Sequence, residues 1–142
     1  SERPQTVRDM IYVLEHAKYP SRLDAFGAVL EHPSVAMRLE VLNILARAGD
    51  AGSLPLFVAR MNGDASPQVR ISAAKLLPML GAEAANAELL RAMRSEDFDA
   101  RPFDERIAIF SAMGSTGMPG ALTLFAQLLG SRSLLLGRRR AI

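Results

Sequence analysis

Apolar residues recur three and four positions apart in short blocks, separated by polar turns carrying glycine or proline. That spacing belongs to amphipathic helices, not to the strict alternation of half-buried strands. It predicts an all-α chain of about eight helices. The first runs from about Thr6 to His16, with Val7, Met10, Ile11, Val13 and Leu14 as its apolar stripe and Thr6 as its cap. The second runs from about Arg22 to Leu30 and is broken at His32-Pro33, and the third, capped by Ser34, ends at Ala48 before Gly49. The fourth to sixth cover about Gly52–Met61, Ser66–Leu80 and Glu83–Met93. The seventh runs from near Pro102 to Ser115 and the eighth from about Pro119 to Leu129. Pro55 falls in a first turn, where a missing N–H costs nothing, whereas Pro78 is expected to bend or loosen a last turn.

The blocks repeat. Arg38, Arg70 and Arg106 each stand eleven residues before a glycine, Gly49, Gly81 and Gly117, and the arginines lie 32 and 36 residues apart. The copies read RLEVLNILARAG, RISAAKLLPMLG and RIAIFSAMGSTG. A second register follows each glycine: Phe57, Leu89 and Phe125 eight residues on, and Met61, Met93 and Leu129 twelve on. Two registers kept over three copies predict an α-solenoid of stacked helix pairs, because periods of this length mark units that bury their apolar faces only against neighbours. The expected organisation is one repeat domain over residues 1–130, with units at about 22–49, 50–81 and 82–117, a partial unit at 118–130, and helix 6–16 in front. Residues 131–142 are either a basic tail or the start of a further repeat. The pattern stops inside a unit, so the expectation is a piece of a longer protein.

These residues resemble the HEAT-repeat family in its short bacterial form, related to phycobilisome-lyase-type repeats, and the resemblance spans about Arg22 to Leu129. It implies antiparallel helix pairs wound into a right-handed superhelix. It also implies a proline in the first helix, an aspartate in the turn and an arginine six residues later, places filled by Pro55, Asp64 and Arg70. In the family the aspartates and arginines join neighbouring turns in a ladder, which here would be built from Arg38, Asp64, Arg70 and Arg106. The outer units depart from the pattern, with His32 and Ala100 at the aspartate's place and Asp99 one residue away. The resemblance further implies that the second helices line a concave, partner-binding side. Their non-apolar positions fall in register: Glu40, Ser72 and Ala108; Asn43, Lys75 and Ser111; Arg47, Met79 and Ser115.

Composition adds limits. Of the 142 residues 49% are apolar and 23% charged, a globular balance. The absence of cysteine excludes disulfides and thiolate metal sites, and SERPQTVRD lacks the apolar core of a secretory signal. The expected setting is cytoplasmic, with no membrane span. The net charge of +2 is uneven, since Arg132, Arg138, Arg139 and Arg140 lie in the last stretch. Removing those four leaves 13 basic against 15 acidic residues, a body at −2. His16 and His32 have no ligand-spaced neighbours, no serine sits in a GxSxG elbow, and no glycine-rich turn carries a phosphate-loop lysine. The acids of SEDFDARP, with Asp104 and Glu105, are expected to cap the seventh helix and to complement its positive end.

The expectation is a non-catalytic scaffold, without metal or cofactor, that binds a protein partner or another domain of its own polypeptide. Its stripe would be Glu40, Asn43, Arg47, Ser72, Lys75, Met79, Ser111 and Ser115. The alternative is a HEAT-like nucleic-acid-binding domain using a basic groove or the arginine-rich tail. The mildly acidic body, the lack of tryptophan and a stripe with only Arg47 and Lys75 as bases count against it. A bilin-lyase role is the third reading, resting on repeat similarity alone.

Overall fold

The computed structural model describes residues 22–117 together with Arg8 and Tyr12, both helical. The rest of the helix expected at 6–16, the units expected at 118–130 and the arginine-rich segment 131–142 lie outside the described residues. Within them the chain forms six α-helices and no strand: α1 (Arg22–Val29), α2 (Val35–Ala48), α3 (Leu54–Gly63), α4 (Pro67–Leu76), α5 (Ala82–Arg94) and α6 (Phe103–Ser115).

Local chemistry sets the boundaries. Ser34 accepts the Met37 N–H through its hydroxyl, satisfying one of the free amides at the start of α2. Gly49, Gly81 and Gly117 are the positive-φ residues of the described chain, at 65°, 136° and 63°. Side chains rarely adopt such angles, and glycine follows each arginine-led segment: Gly49 caps α2, Gly81 closes the 3₁₀ turn after α4, and Gly117 comes directly after Thr116 at the end of α6. Pro55 occupies the first turn of α3, as its spacing predicts, behind a 3₁₀ turn at Ala51–Ser53. The fifth expected helix is shorter than its pattern: α4 stops at Leu76 and a 3₁₀ turn covers Leu77–Leu80. Pro78 has no N–H to give to the preceding turn, and the chain tightens there. The loop after α5 contains a further 3₁₀ turn, Phe98–Ala100, which buries Phe98.

Packing orders these elements. Each odd-numbered helix is followed by an even-numbered one that it touches, and α4 packs against α2 on one side and α6 on the other. The second helices of the pairs are therefore neighbours in chain order. Phe26, Phe57 and Phe98 are fully buried, one for each pair, with Leu42, Leu45, Leu77, Leu89 and Met93 between them. Phe110 is half-buried and meets Phe98 edge to face, ring centres 5.5 Å apart at 82°. α1 and α3 approach at Gly27, whose added Cβ would stand 3.4 Å from the Leu56 side chain. No described helix is long and apolar enough to cross a membrane.

Phe57 belongs to the buried core and has no exposed surface. Phe57→Ala is expected to cost about 3–5 kcal/mol, read as a lowered urea midpoint at unchanged slope.

Candidate functional site: an arginine ladder and an outward helix face

One edge of the molecule is held by arginines whose targets follow a rule. Arg38 donates Nη1–H to the His32 carbonyl at 2.7 Å, and Arg70 donates Nη1–H to the Asp64 carbonyl at 2.6 Å, six residues back in both cases. With its remaining donors each reaches a carboxylate of the next unit. Arg38 grips Asp64 through Nε and Nη2, both at 3.0 Å, a two-pronged fork. Arg70 grips Glu105 Oε1 through Nε at 2.8 Å and Nη2 at 2.6 Å. The carboxylates are almost wholly buried, Asp64 and Glu105 each 3% exposed, and Arg38 is 8% exposed.

Asp64 is the most heavily served group of the edge. Its Oδ1 also accepts the Ser66 amide at 2.8 Å, and its Oδ2 accepts from Arg60 at 3.2 Å. Burial by itself pushes the Asp64 carboxyl up, but the Arg38 bond, the Ser66 amide and the charges of Arg38 and Arg60 together hold it below the ordinary aspartate value. The Glu105 bond raises the Arg70 guanidinium further, against the opposing effect of burial.

Three features differ from the sequence reading. The carboxylate partner of Arg70 is Glu105 and not Asp64, which offers Arg70 its backbone carbonyl instead. The third-unit acid is accordingly Glu105, a turn into α6, and not Asp99. The acids of the 96–105 stretch give α6 no side-chain cap, since Pro102 stands at its N-cap and Asp97 is held by the Ser95 hydroxyl, but Asp104 and Glu105 do lie in its first turn, at the positive end of the helix dipole. His32 contributes its carbonyl to the ladder, while its Nδ1 accepts the Ser34 amide at 3.0 Å.

A second row of arginines went unread. Arg60 donates to the Leu30 carbonyl at 3.0 Å and to Glu31 at 2.8 Å, and Arg101 donates to the Met61 carbonyl at 3.1 Å and to Asn62 at 2.7 Å. Each closes the carbonyl end of the preceding unit's first helix, where a cation also meets the negative end of the helix dipole. Their separations from those carbonyls, 30 and 40 residues, follow no single period. Helix-end capping by cations is the one signal that could have found them.

The outward rows of the second helices stand as follows. Asn43, Lys75 and Ser111 are exposed, and so are Arg47, Met79 and Ser115. Glu40 and Ser72 are half-buried. Ala108 is buried, so the Glu40–Ser72 row does not continue onto α6 as an exposed position. The small apolar alanine joins the buried core there. Several row members are tied to their own helix: Asn43 donates to Leu39, Arg47 to Asn43 and Ser115 to Ala112. Beside these rows runs an apolar one that a search for polar positions passes over, Leu39, Ile71 and Ile107, half-buried in the first two units and exposed in the third.

A shallow cleft of about 360 Å³ opens between the α3–α4 turn and the 97–102 loop, lined by Asn62, Asp64, Arg70, Arg101 and Glu105 among others. Its polar walls are ladder members already paired with one another. No cluster of three or more metal-ligating side chains occurs among the described residues. Neither a family model nor a curated protein sequence matches the chain.

The depressed Asp64 carboxyl carries a pH signature. Its contribution is complete above the unfolded aspartate value and is lost as pH falls through the lower folded value. Wild-type stability is therefore expected to fall as pH drops below the ordinary aspartate value of 3.8. Asp64→Asn, which strands Arg38, is expected to lose about 3 kcal/mol at neutral pH and to show a flatter acid limb, measured by denaturant titration at stepped pH.

Proposed function

We propose that the helix pairs stack as a HEAT-like solenoid and that the protein is a non-catalytic scaffold module. It holds a protein partner, or another domain of its own polypeptide, against the outward face of α2, α4 and α6. One observation supports the reading: α4 touches both α2 and α6, the order expected if equivalent positions on the three helices form parallel rows. Of those rows, Asn43-Lys75-Ser111 and Arg47-Met79-Ser115 are exposed throughout. Stacked helices at roughly 10 Å spacing make a shallow, extended surface suited to a polypeptide and unsuited to enclosing a small substrate.

The rows favour a partner of mixed character. Arg47 and Lys75 supply cations, Met79 is half exposed and offers an adaptable apolar contact, and Asn43, Ser111 and Ser115 supply polar groups. Two cations spread over three helices give little purchase on a phosphate backbone, whose affinity grows with the number of phosphates neutralised. A protein is the better fit.

The test is affinity capture with the whole chain and with a variant combining Asn43→Ala, Lys75→Glu and Met79→Ala. These exposed changes are expected to leave the denaturation midpoint within about 0.5 kcal/mol of wild type. A partner purified on the wild type should bind the variant at least about tenfold more weakly, a loss of ~1.4 kcal/mol. Equal retention sinks the reading. Salt-dependent binding to duplex DNA that the same variant leaves intact would replace it with the nucleic-acid alternative.

A further inference from the structure

The ladder is unfinished on α6. Arg38 and Arg70 each hold a carbonyl of their own turn and a carboxylate of the unit beyond. Arg106, the third of the series, donates Nε–H to the Arg101 carbonyl at 3.1 Å and lies 5.8 Å over the Phe103 ring. Among the described residues no carboxylate pairs with it.

The same helix carries an apolar strip that is exposed at Phe103 and Ile107. Val35, Leu39, Leu42 and Ala46 of α2 lie three, seven, ten and fourteen places after His32, and the same places after Asp64 are Pro67, Ile71 and Ala74 of α4 and Pro78 of the 3₁₀ turn that follows it. α2 packs on α4 and α4 on α6. The corresponding residues of α6 are Phe103, Ile107, Phe110 and Gly114. Exposure along this register rises in the last unit, where Phe103 is 65% and Ile107 45% exposed. Gly114 is exposed, and a Cβ built on it would touch nothing within 4 Å.

We propose that this side of α6 docks an acid-bearing helix, which adds itself to the stack and places a carboxylate on Arg106 as Glu105 is placed on Arg70. Two features define the occupant's chemistry. The free cation asks for a carboxylate near the occupant's first turn, the place Glu105 holds in α6. The bulky Phe103 and Ile107 ask for small facing residues, as Ala108 and Ala112 of α6 are small and buried. Residues 118–142 contain no aspartate or glutamate, so that stretch holds no acidic side chain for this rung.

The proposal rests on the stacking read above, but on its end and not on its open face, and the two separate experimentally. The probe is a fluorescent synthetic peptide of residues 102–117, which carries Glu105 and its small-residue face, titrated into the whole 142-residue chain and followed by anisotropy. Saturable binding is expected to weaken as salt rises and to fall about tenfold with Arg106→Gln, with Ile107→Ser, or with the Glu105→Gln peptide. Combining Arg106→Gln with the Gln peptide should cost no more than either change alone, the mark of one shared contact. Melting should be unchanged in both protein variants, and Asn43→Ala with Lys75→Glu should leave the peptide's affinity intact even where capture on the open face is lost. Absence of saturable binding, equal binding of the Gln peptide, or loss on Arg70→Gln but not on Arg106→Gln would overturn the proposal, the last because the peptide would then be displacing α6 from α4.

Discussion

The arrangement depends on the buried contact between Arg38 and Asp64. Removing a guanidinium and a carboxylate from water costs several kcal/mol per ion, and their attraction offsets this only when every donor and lone pair finds a partner. Here Asp64 accepts four bonds, two from Arg38, one from Arg60 and one from the Ser66 amide. Such saturation is possible only if the α2 helix start, the α3 end and the α3–α4 turn meet in one geometry. The pair is a weak source of net stability and a strong selector of register. A slip of either helix by one residue would leave a buried charge without partners, whereas the same slip in a purely apolar contact could be absorbed by repacking.

The helical layout was legible because its signals are local. Glycine at positive φ, proline in a first turn and serine at a helix start act within a few residues, so Gly49, Pro55 and Ser34 can be read without knowing what lies across the core. The inward periodicity was legible for the same reason, and Leu42, Phe57 and Leu89 are buried as their spacing requires. Pro78 marked the weak point of its helix but not the residue where α-geometry stops.

Partnership was harder to read because it depends on reach across units. Asp64 and Glu105 play the same part with side chains that differ by one methylene and from places that are not equivalent, one in a turn and the other inside α6. Register points to the residue six before the arginine, and at that place the structure uses the backbone carbonyl, an atom every residue has. That explains how His32 stands where an aspartate was expected without breaking the rung. The acidic loop misled for a related reason: Asp97 and Glu105 are two of a run of acids, and only three-dimensional proximity to Arg70 sets one of them apart. The apolar row of Leu39, Ile71 and Ile107 escaped notice because a search for interaction surfaces by polarity discards hydrophobic positions, although a row that changes from half-buried to exposed marks where packing runs out.

The two sets of arginines divide the labour of joining units. Arg60 and Arg101 act on carbonyls at the ends of first helices and remain partly in water, Arg60 adding one bond to Asp64 as well. Arg38 and Arg70 act through forks on buried carboxylates, a geometry that a lysine's single ammonium cannot reproduce. The first set steadies helix ends, while the second ties each unit's position to the next. Helices of 8 to 14 residues are marginal in isolation, so order in each pair derives from its neighbours and the stiffness of the face formed by α2, α4 and α6 derives from the ties between them. The contacts of α4 with α2 and α6 are consequently held by two means, the apolar core and the buried charges that bind one unit to the next.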